Sequence, residues 1–178
     1  MEAMFYSCSK IESLSLTKFN TENVENMSKM FSGCGNLKYL DISSFKTPKV
    51  ETMEEMFTHC SSLSSLDLSG FDTSRVTSMS LMFNSCSSLI SLDLNKFNTE
   101  KVIIMYGMFF GCKALENLEV SKFDTSRVTN MARMFAECQT LTSLEVSSFN
   151  TQKVDRMDST FEKCSKLVSL DLSKWVTN

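Results

Sequence analysis

The stretch "SGFDTSRVTSMSLMFNSC", residues 69–86, contains the pattern that decides the fold of this 178-residue chain. Its apolar positions return 26 residues later as Phe97, Val102, Met105, Met108, Phe109 and Cys112. The seven cysteines keep the same 26-residue interval without insertion or deletion: Cys8, Cys34, Cys60, Cys86, Cys112, Cys138 and Cys164. A fixed period of this size is typical of a repeat architecture in which each unit packs on its neighbours. We therefore predict one domain, residues 1–178, of nearly seven 26-residue repeats.

Two kinds of periodicity share each repeat. Leu66 and Leu68 flank Asp67, an alternation that predicts a short strand with its leucines facing inward. From Val76 to Cys86 the apolar residues are spaced 3, 3, 1 and 3 apart, which predicts an amphipathic helix. A threonine three residues before that valine is expected to be the helix N-cap. It recurs as Thr21, Thr47, Thr73, Thr99, Thr125 and Thr151.

Repetition of one path makes successive strands parallel. Such strands pair about 4.8 Å apart, whereas packed helices need about 8–10 Å. The difference predicts a right-handed arc, an α/β repeat solenoid with parallel strands on the concave face and helices on the convex face.

The repeated segment 63–89, "LSSLDLSGFDTSRVTSMSLMFNSCSSL", resembles the leucine-rich repeats of BspA-like bacterial surface proteins. More specifically, it is similar to the branch first catalogued as a mycoplasma domain of unknown function. The resemblance implies a non-enzymatic adhesion and protein-interaction module of a cell-surface or secreted protein. The amino terminus is not expected to be a signal peptide, and we expect the chain to be a segment of a longer array.

The charge and the residue pattern argue against several other classes of function. The net charge of −3 comes without a Lys/Arg cluster, and the apolar runs are short, so neither nucleic acid nor membrane insertion is expected. No nucleophile–base pair or ligand cluster is apparent, which predicts neither catalysis nor a cofactor. Single cysteines at a regular interval suit buried, reduced thiols better than zinc ligands or a disulfide ladder.

The strands carry the candidate partner-binding residues. The outward position between the two inward apolar residues is acidic in six units: Asp41, Asp67, Asp93, Glu119, Glu145 and Asp171. Neighbouring outward positions include Tyr39, Ser65, Ser91 and Asn117. We predict that this concave face binds a protein partner, such as a host-cell or extracellular-matrix protein.

Three alternatives to this prediction stay open. The first is calcium binding, which is disfavoured because a flat row of acids does not supply six to eight converging oxygens. The acids also fit an ordinary solvated face. Finally, the whole array fits a structural spacer that projects other domains.

Overall fold

The computed structural model describes residues 1–177 as a solenoid of stacked units. We number the units from the residue after one cysteine through the next cysteine, so that the third unit is residues 61–86. Four short strands lie on the concave face: β1 (Ser13–Ser15), β2 (Tyr39–Asp41), β3 (Ser91–Leu92) and β4 (Asn117–Leu118). β1 pairs with β2 and β3 with β4, both in parallel. Each pair joins residues 26 apart, as Leu14 with Leu40 and Leu92 with Leu118, which confirms the repeat register.

The strands are shorter and fewer than the sequence predicts. In the third unit one turn closes at Leu63, whose amide donates to the Cys60 carbonyl. Another turn begins at Asp67, whose carboxylate accepts the amide of Ser69. Only three residues lie between these turns, so a strand here can only be short, and in the third unit none forms.

The predicted convex helices are wrong, because no residue among 1–177 is helical. In the third unit Leu81 and Ser85 have φ of 55° and 57°, whereas an α-helix requires negative φ. The amide of Met82 donates to the Met79 carbonyl at 3.2 Å, and that of Cys86 to the Phe83 carbonyl at 3.1 Å. A hydrogen bond from the amide of residue i+3 to the carbonyl of residue i, with positive φ at residue i+2, is the signature of a type II turn.

This pair of turns defines the convex segment, residues 78–86 in the third unit and the equivalent residues in the others. Positive φ recurs at both turn positions in every complete unit: Lys29 and Gly33, Glu55 and His59, Gly107 and Gly111, Arg133 and Glu137, Ser159 and Lys163.

The amides between the turn bonds connect one unit to the next. Leu81 donates to the Tyr106 carbonyl at 2.8 Å, and Phe83 donates to the Met108 carbonyl at 2.9 Å. The same edge carries an unbroken series of parallel bridges linking Asn26, Thr52, Ser78, Ile104, Asn130 and Arg156. Units are therefore joined by backbone hydrogen bonds on the convex side as well as on the concave side.

The threonine of each unit reinforces this joint instead of capping a helix. Thr73 Oγ1 donates to the carbonyl of Asn98 at 2.9 Å and accepts the amide of the same residue at 2.8 Å. Thr47 and Thr125 make the same pair of bonds to Asp72 and Asn150. Each hydroxyl thus bonds both the carbonyl and the amide of one residue in the next unit, as a paired backbone segment would. The N-cap prediction is wrong.

The core is a set of columns parallel to the solenoid axis. One column stacks seven phenylalanine rings with centroids 5.6–5.7 Å apart and planes within 2–7°: Phe5, Phe31, Phe57, Phe83, Phe109, Phe135 and Phe161. Each stacked pair contributes about 0.5–1.5 kcal/mol beyond burial. The ring spacing is close to the roughly 4.8 Å between paired strands. The array therefore bends less than helices on the convex side would require.

Candidate functional site

The predicted concave residues do share one face. The six acids, together with Tyr39, Ser65, Ser91 and Asn117, are exposed, except that Asp41 is half-buried. Their order along the face follows from the 26-residue register of the strands, and the leucines between them point into the core. We call the six carboxylates Asp41, Asp67, Asp93, Glu119, Glu145 and Asp171 the acidic ridge.

Each ridge carboxylate is held by the backbone. One of its oxygens accepts the amide of the residue two positions on, at 2.8–3.1 Å in all six units. In the second unit the Ser43 hydroxyl also donates to Asp41 Oδ1 at 2.7 Å. The acid thus begins the turn that ends the strand, which fixes the direction of its second oxygen.

The hydrogen bonds also favour the ionised form of most ridge acids. The serine two residues on, through its hydroxyl and its amide, lowers the pKa of five ridge acids: Asp41, Asp67, Glu119, Glu145 and Asp171. The charge of Lys96 further lowers the pKa of Asp67, and Lys122 that of Glu119. Repulsion between ridge neighbours acts in the opposite direction at Asp41 and Glu145 but is outweighed. These carboxylates are therefore ionised at neutral pH.

The ridge lies beside shallow depressions, not a deep pocket. Lys38, Tyr39, Asp41, Ser65 and Asp67 line one of about 340 Å³. Tyr39 is 57% exposed and forms an aromatic wall beside the two carboxylates. A second depression of about 200 Å³ lies between Asn117 and Glu145. Hollows of this shape accommodate protruding side chains of a protein, whereas small-molecule sites enclose most of their ligand.

The cysteine ladder is a structural column. Cys34, Cys60, Cys86, Cys112 and Cys138 are buried and free, and Cys8 and Cys164 are half-buried and free. The thiol of Cys86 donates to the Phe57 carbonyl at 3.1 Å, and the pattern repeats from Cys34 to Cys164. Burial raises the pKa of Cys34 to about 11 and that of Cys60 to about 12. The predicted burial is confirmed for five of the seven thiols, whereas those of Cys8 and Cys164 are half-buried.

No group of three or more His, Cys, Asp and Glu side chains within residues 1–177 is placed to hold a metal ion. The calcium alternative therefore gains no support from the geometry. The same residues contain no helix long and apolar enough to cross a membrane.

The stacked units also form a line of basic residues that composition alone does not reveal. Five units carry a cation at the same register: Lys49, Arg75, Lys101, Arg127 and Lys153. These residues are far apart in sequence, so no Lys/Arg cluster is visible, but stacking of the units places them in one line. The recurrence of Lys or Arg every 26 residues is the signal that reveals it. We call these five residues the basic row.

Stacked units with a parallel concave ladder and an inward leucine pattern define a leucine-rich-repeat solenoid. The chain belongs to the family described as "Mycoplasma protein of unknown function, DUF285", which matches residues 1–117 and 89–178. This confirms the family resemblance seen in the repeated segment. No curated protein matches the chain.

Solved structures support the fold. A leucine-rich-repeat protein of T. pallidum superposes with a TM-score of 0.51 at 19% identity, covering 93% of this chain and 69% of its own. A leucine-rich cell surface protein of Faecalibacterium prausnitzii superposes with a TM-score of 0.50 at 23% identity, covering 80% of this chain. The chain spans only 34% of the length of that second protein.

Proposed function

We propose that this chain is a non-enzymatic protein-interaction module of a cell-surface or secreted protein, and that the acidic ridge is its contact surface. The observation that carries the proposal is the backbone hydrogen bond to every ridge carboxylate. Side chains that are already fixed lose little entropy when a partner binds. The family and the fold support a surface module of this general kind.

The chemistry of the ridge specifies the kind of partner. Ionised carboxylates one repeat apart attract a surface bearing Lys and Arg, and Arg binds carboxylates with two parallel hydrogen bonds. Tyr39 adds an exposed aromatic ring, a residue type enriched at protein interfaces. The partner that fits is a protein with a row of basic side chains.

We also propose that the ridge acids do not act as catalysts. Each ridge acid is committed to a turn amide. The lowered pKa of Asp67 and that of Glu119 make these two side chains poor general acids at neutral pH. The single histidine, His59, lies in the convex segment, on the opposite side of the unit from the ridge.

The test compares binding of the chain to immobilised extracellular-matrix proteins and to epithelial cells before and after neutralising the ridge. In the variant Asp67→Asn, Asp93→Asn and Glu119→Gln, each side chain keeps the oxygen that accepts the turn amide. The fold is therefore retained, and we expect affinity to fall at least tenfold. A matched control, Glu22→Gln, Glu25→Gln and Glu162→Gln, removes the same charge away from the ridge and is expected to bind like wild type.

A structural spacer is the second candidate. The observation that favours it is the same set of turn bonds, because they give each acid a structural role that needs no partner. Equal binding by wild type and the ridge variant would exclude the ridge as the contact surface. Absence of saturable binding by wild type would favour the spacer.

A further inference from the structure

The basic row runs along the solenoid axis at a fixed spacing. Inter-unit bonds bracket it on both sides: the Thr73 hydroxyl bonds Asn98 before Arg75, and Ser78 bridges Ile104 after it. Neighbouring cations are therefore separated by one unit, about 4.8 Å at the backbone, and the five span about 20 Å. All five side chains are exposed.

Most of the row lacks an internal counter-ion. Arg75 forms an ion pair with Glu51 at 2.9 Å, the acid two residues after Lys49 in the preceding unit. The same position is neutral in the next three units, where Thr77, Ile103 and Thr129 occupy it.

Lys101, Arg127 and Lys153 consequently form no ion pair within residues 1–177. The second unit gives the row a further cation, since Lys49 Nζ donates to the neutral Asn23 Oδ1 at 2.7 Å and forms no ion pair with the described residues.

Acids border the row and limit the shape of what can bind. Glu100, Asp124 and Asp155 are exposed in the units of the three unpaired cations. They repel a broad anionic surface, such as a membrane, which interacts with many basic residues at once. A row one residue wide between carboxylates instead fits a thin chain whose charges recur along its length.

We propose that the basic row binds a linear anionic polysaccharide, with its sulfate or carboxylate groups following the cations from unit to unit. Single-stranded nucleic acid is a poorer fit, because its bases stack on aromatic side chains and the row consists of Lys and Arg alone. The polysaccharide would lie parallel to the solenoid axis. This surface is separate from the acidic ridge and does not depend on the protein-binding proposal.

The test measures binding of fluorescein-labelled heparin dodecasaccharide to the full chain by fluorescence anisotropy at several salt concentrations. Lys101→Gln, Arg127→Gln and Lys153→Gln together are expected to weaken binding at least tenfold. Loss of up to three anion contacts should also reduce the slope of log affinity against log salt by about 2. The matched control, Lys96→Gln, Lys122→Gln and Lys174→Gln, removes the same charge near the acidic ridge and is expected to stay within about threefold of wild type.

Two further measurements make the outcome decisive. Lys101→Arg with Lys153→Arg keeps the charge and should bind like wild type, and thermal unfolding checks that every variant is folded. Equal weakening by both Gln triples, or no binding by wild type, would overturn the proposal. So would tighter binding to a dT oligonucleotide or to phosphatidylserine vesicles than to heparin. The ridge variant should retain heparin binding, which separates this result from the protein-binding test.

Discussion

At the scale of single residues, the only proline occupies a position whose amide would have no hydrogen-bond acceptor in its unit. In other units an Asn or Asp accepts the amide two residues on, as Asn98 Oδ1 does from Glu100 at 2.9 Å and Asp72 Oδ1 from Ser74 at 2.9 Å. The second unit has Lys46 at the acceptor position. Pro48 stands at the donor position and has no amide hydrogen to satisfy. The placement of Pro48 thus matches the missing acceptor at residue 46.

This pairing predicts coupling between the two positions. Pro48→Glu alone leaves an amide without its acceptor and adds freedom to the unfolded chain, so stability should fall by about 0.5–1 kcal/mol. Lys46→Asn alone should be nearly neutral. Together they recreate the arrangement of Asn98 and Glu100, with a favourable interaction of about 0.5–1.5 kcal/mol. Urea unfolding of all four proteins measures the coupling, and strict additivity would contradict it.

The position of the ridge acids could be predicted from the residue pattern. Alternation with leucines predicted their common face correctly. The same acid-x-serine spacing also signals a side-chain turn, as in Asp67 and Ser69. The lowered pKa of five of these acids follows from that turn.

At the scale of the element, the apolar spacing had two physical explanations. Intervals of three residues suit one face of a helix, but they also arise when both ends of a four-residue turn point inward. Met79 and Met82 close one such turn, and Phe83 and Cys86 close the next. The single interval of one, between Met82 and Phe83, marks the junction of the two turns. Spacing alone could not decide, because the deciding bonds run to the neighbouring unit.

The turns predict different tolerance at two nearby glycines. Gly33 has φ of +79°, and a methyl group there would lie 3.1 Å from the Cα of Ser7. Gly33→Ala should therefore lower the free energy of unfolding by at least about 1–2 kcal/mol. Gly35 has no positive φ, and its methyl group would meet Ser61 Oγ at an ordinary 3.5 Å. Gly35→Ala is the control and should be neutral or stabilising by up to about 1 kcal/mol; equal losses would argue against the turn assignment.

At the scale of the whole molecule, the period was the most informative feature of the sequence. An uninterrupted 26-residue register requires neighbouring units to align, so the phenylalanine, cysteine and threonine columns follow from it. The solenoid and its family were predicted from that register. The degree of curvature was not, because it depends on the convex segment being hydrogen-bonded between units.

The thiol column predicts loss of stability in alkali. Burial raises the pKa of Cys34 to about 11 and of Cys60 to about 12, and it also raises those of Cys86 and Cys112 well above the ordinary 9.0. The unfolded chain releases these protons first, so the stabilisation is complete below pH 9 and declines as pH rises toward the folded pKa. The decline approaches about 1.4 kcal/mol per pH unit for each fully buried thiol.

Urea unfolding at pH 7.5, 9 and 10 measures this dependence. Cys86→Ala with Cys112→Ala should be less stable at pH 7.5 but should lose stability less steeply between pH 9 and 10. The pair Ser64→Ala and Ser65→Ala, which leaves the thiols untouched, should keep the wild-type slope. An unchanged slope in the cysteine variant would show that other groups cause the alkaline transition.

The convex joint between units recurs at every step, which has a consequence for the gene. The Thr73 hydroxyl, the Phe83 ring and the Cys86 thiol each meet a neighbour that offers the same chemistry as any other unit. Removal or duplication of one whole repeat therefore leaves every column continuous across the new junction. Recombination between repeats can lengthen or shorten the array while each product still folds. The length of the array, as well as the number of ridge and row charges that it presents, can thus evolve by copy number alone.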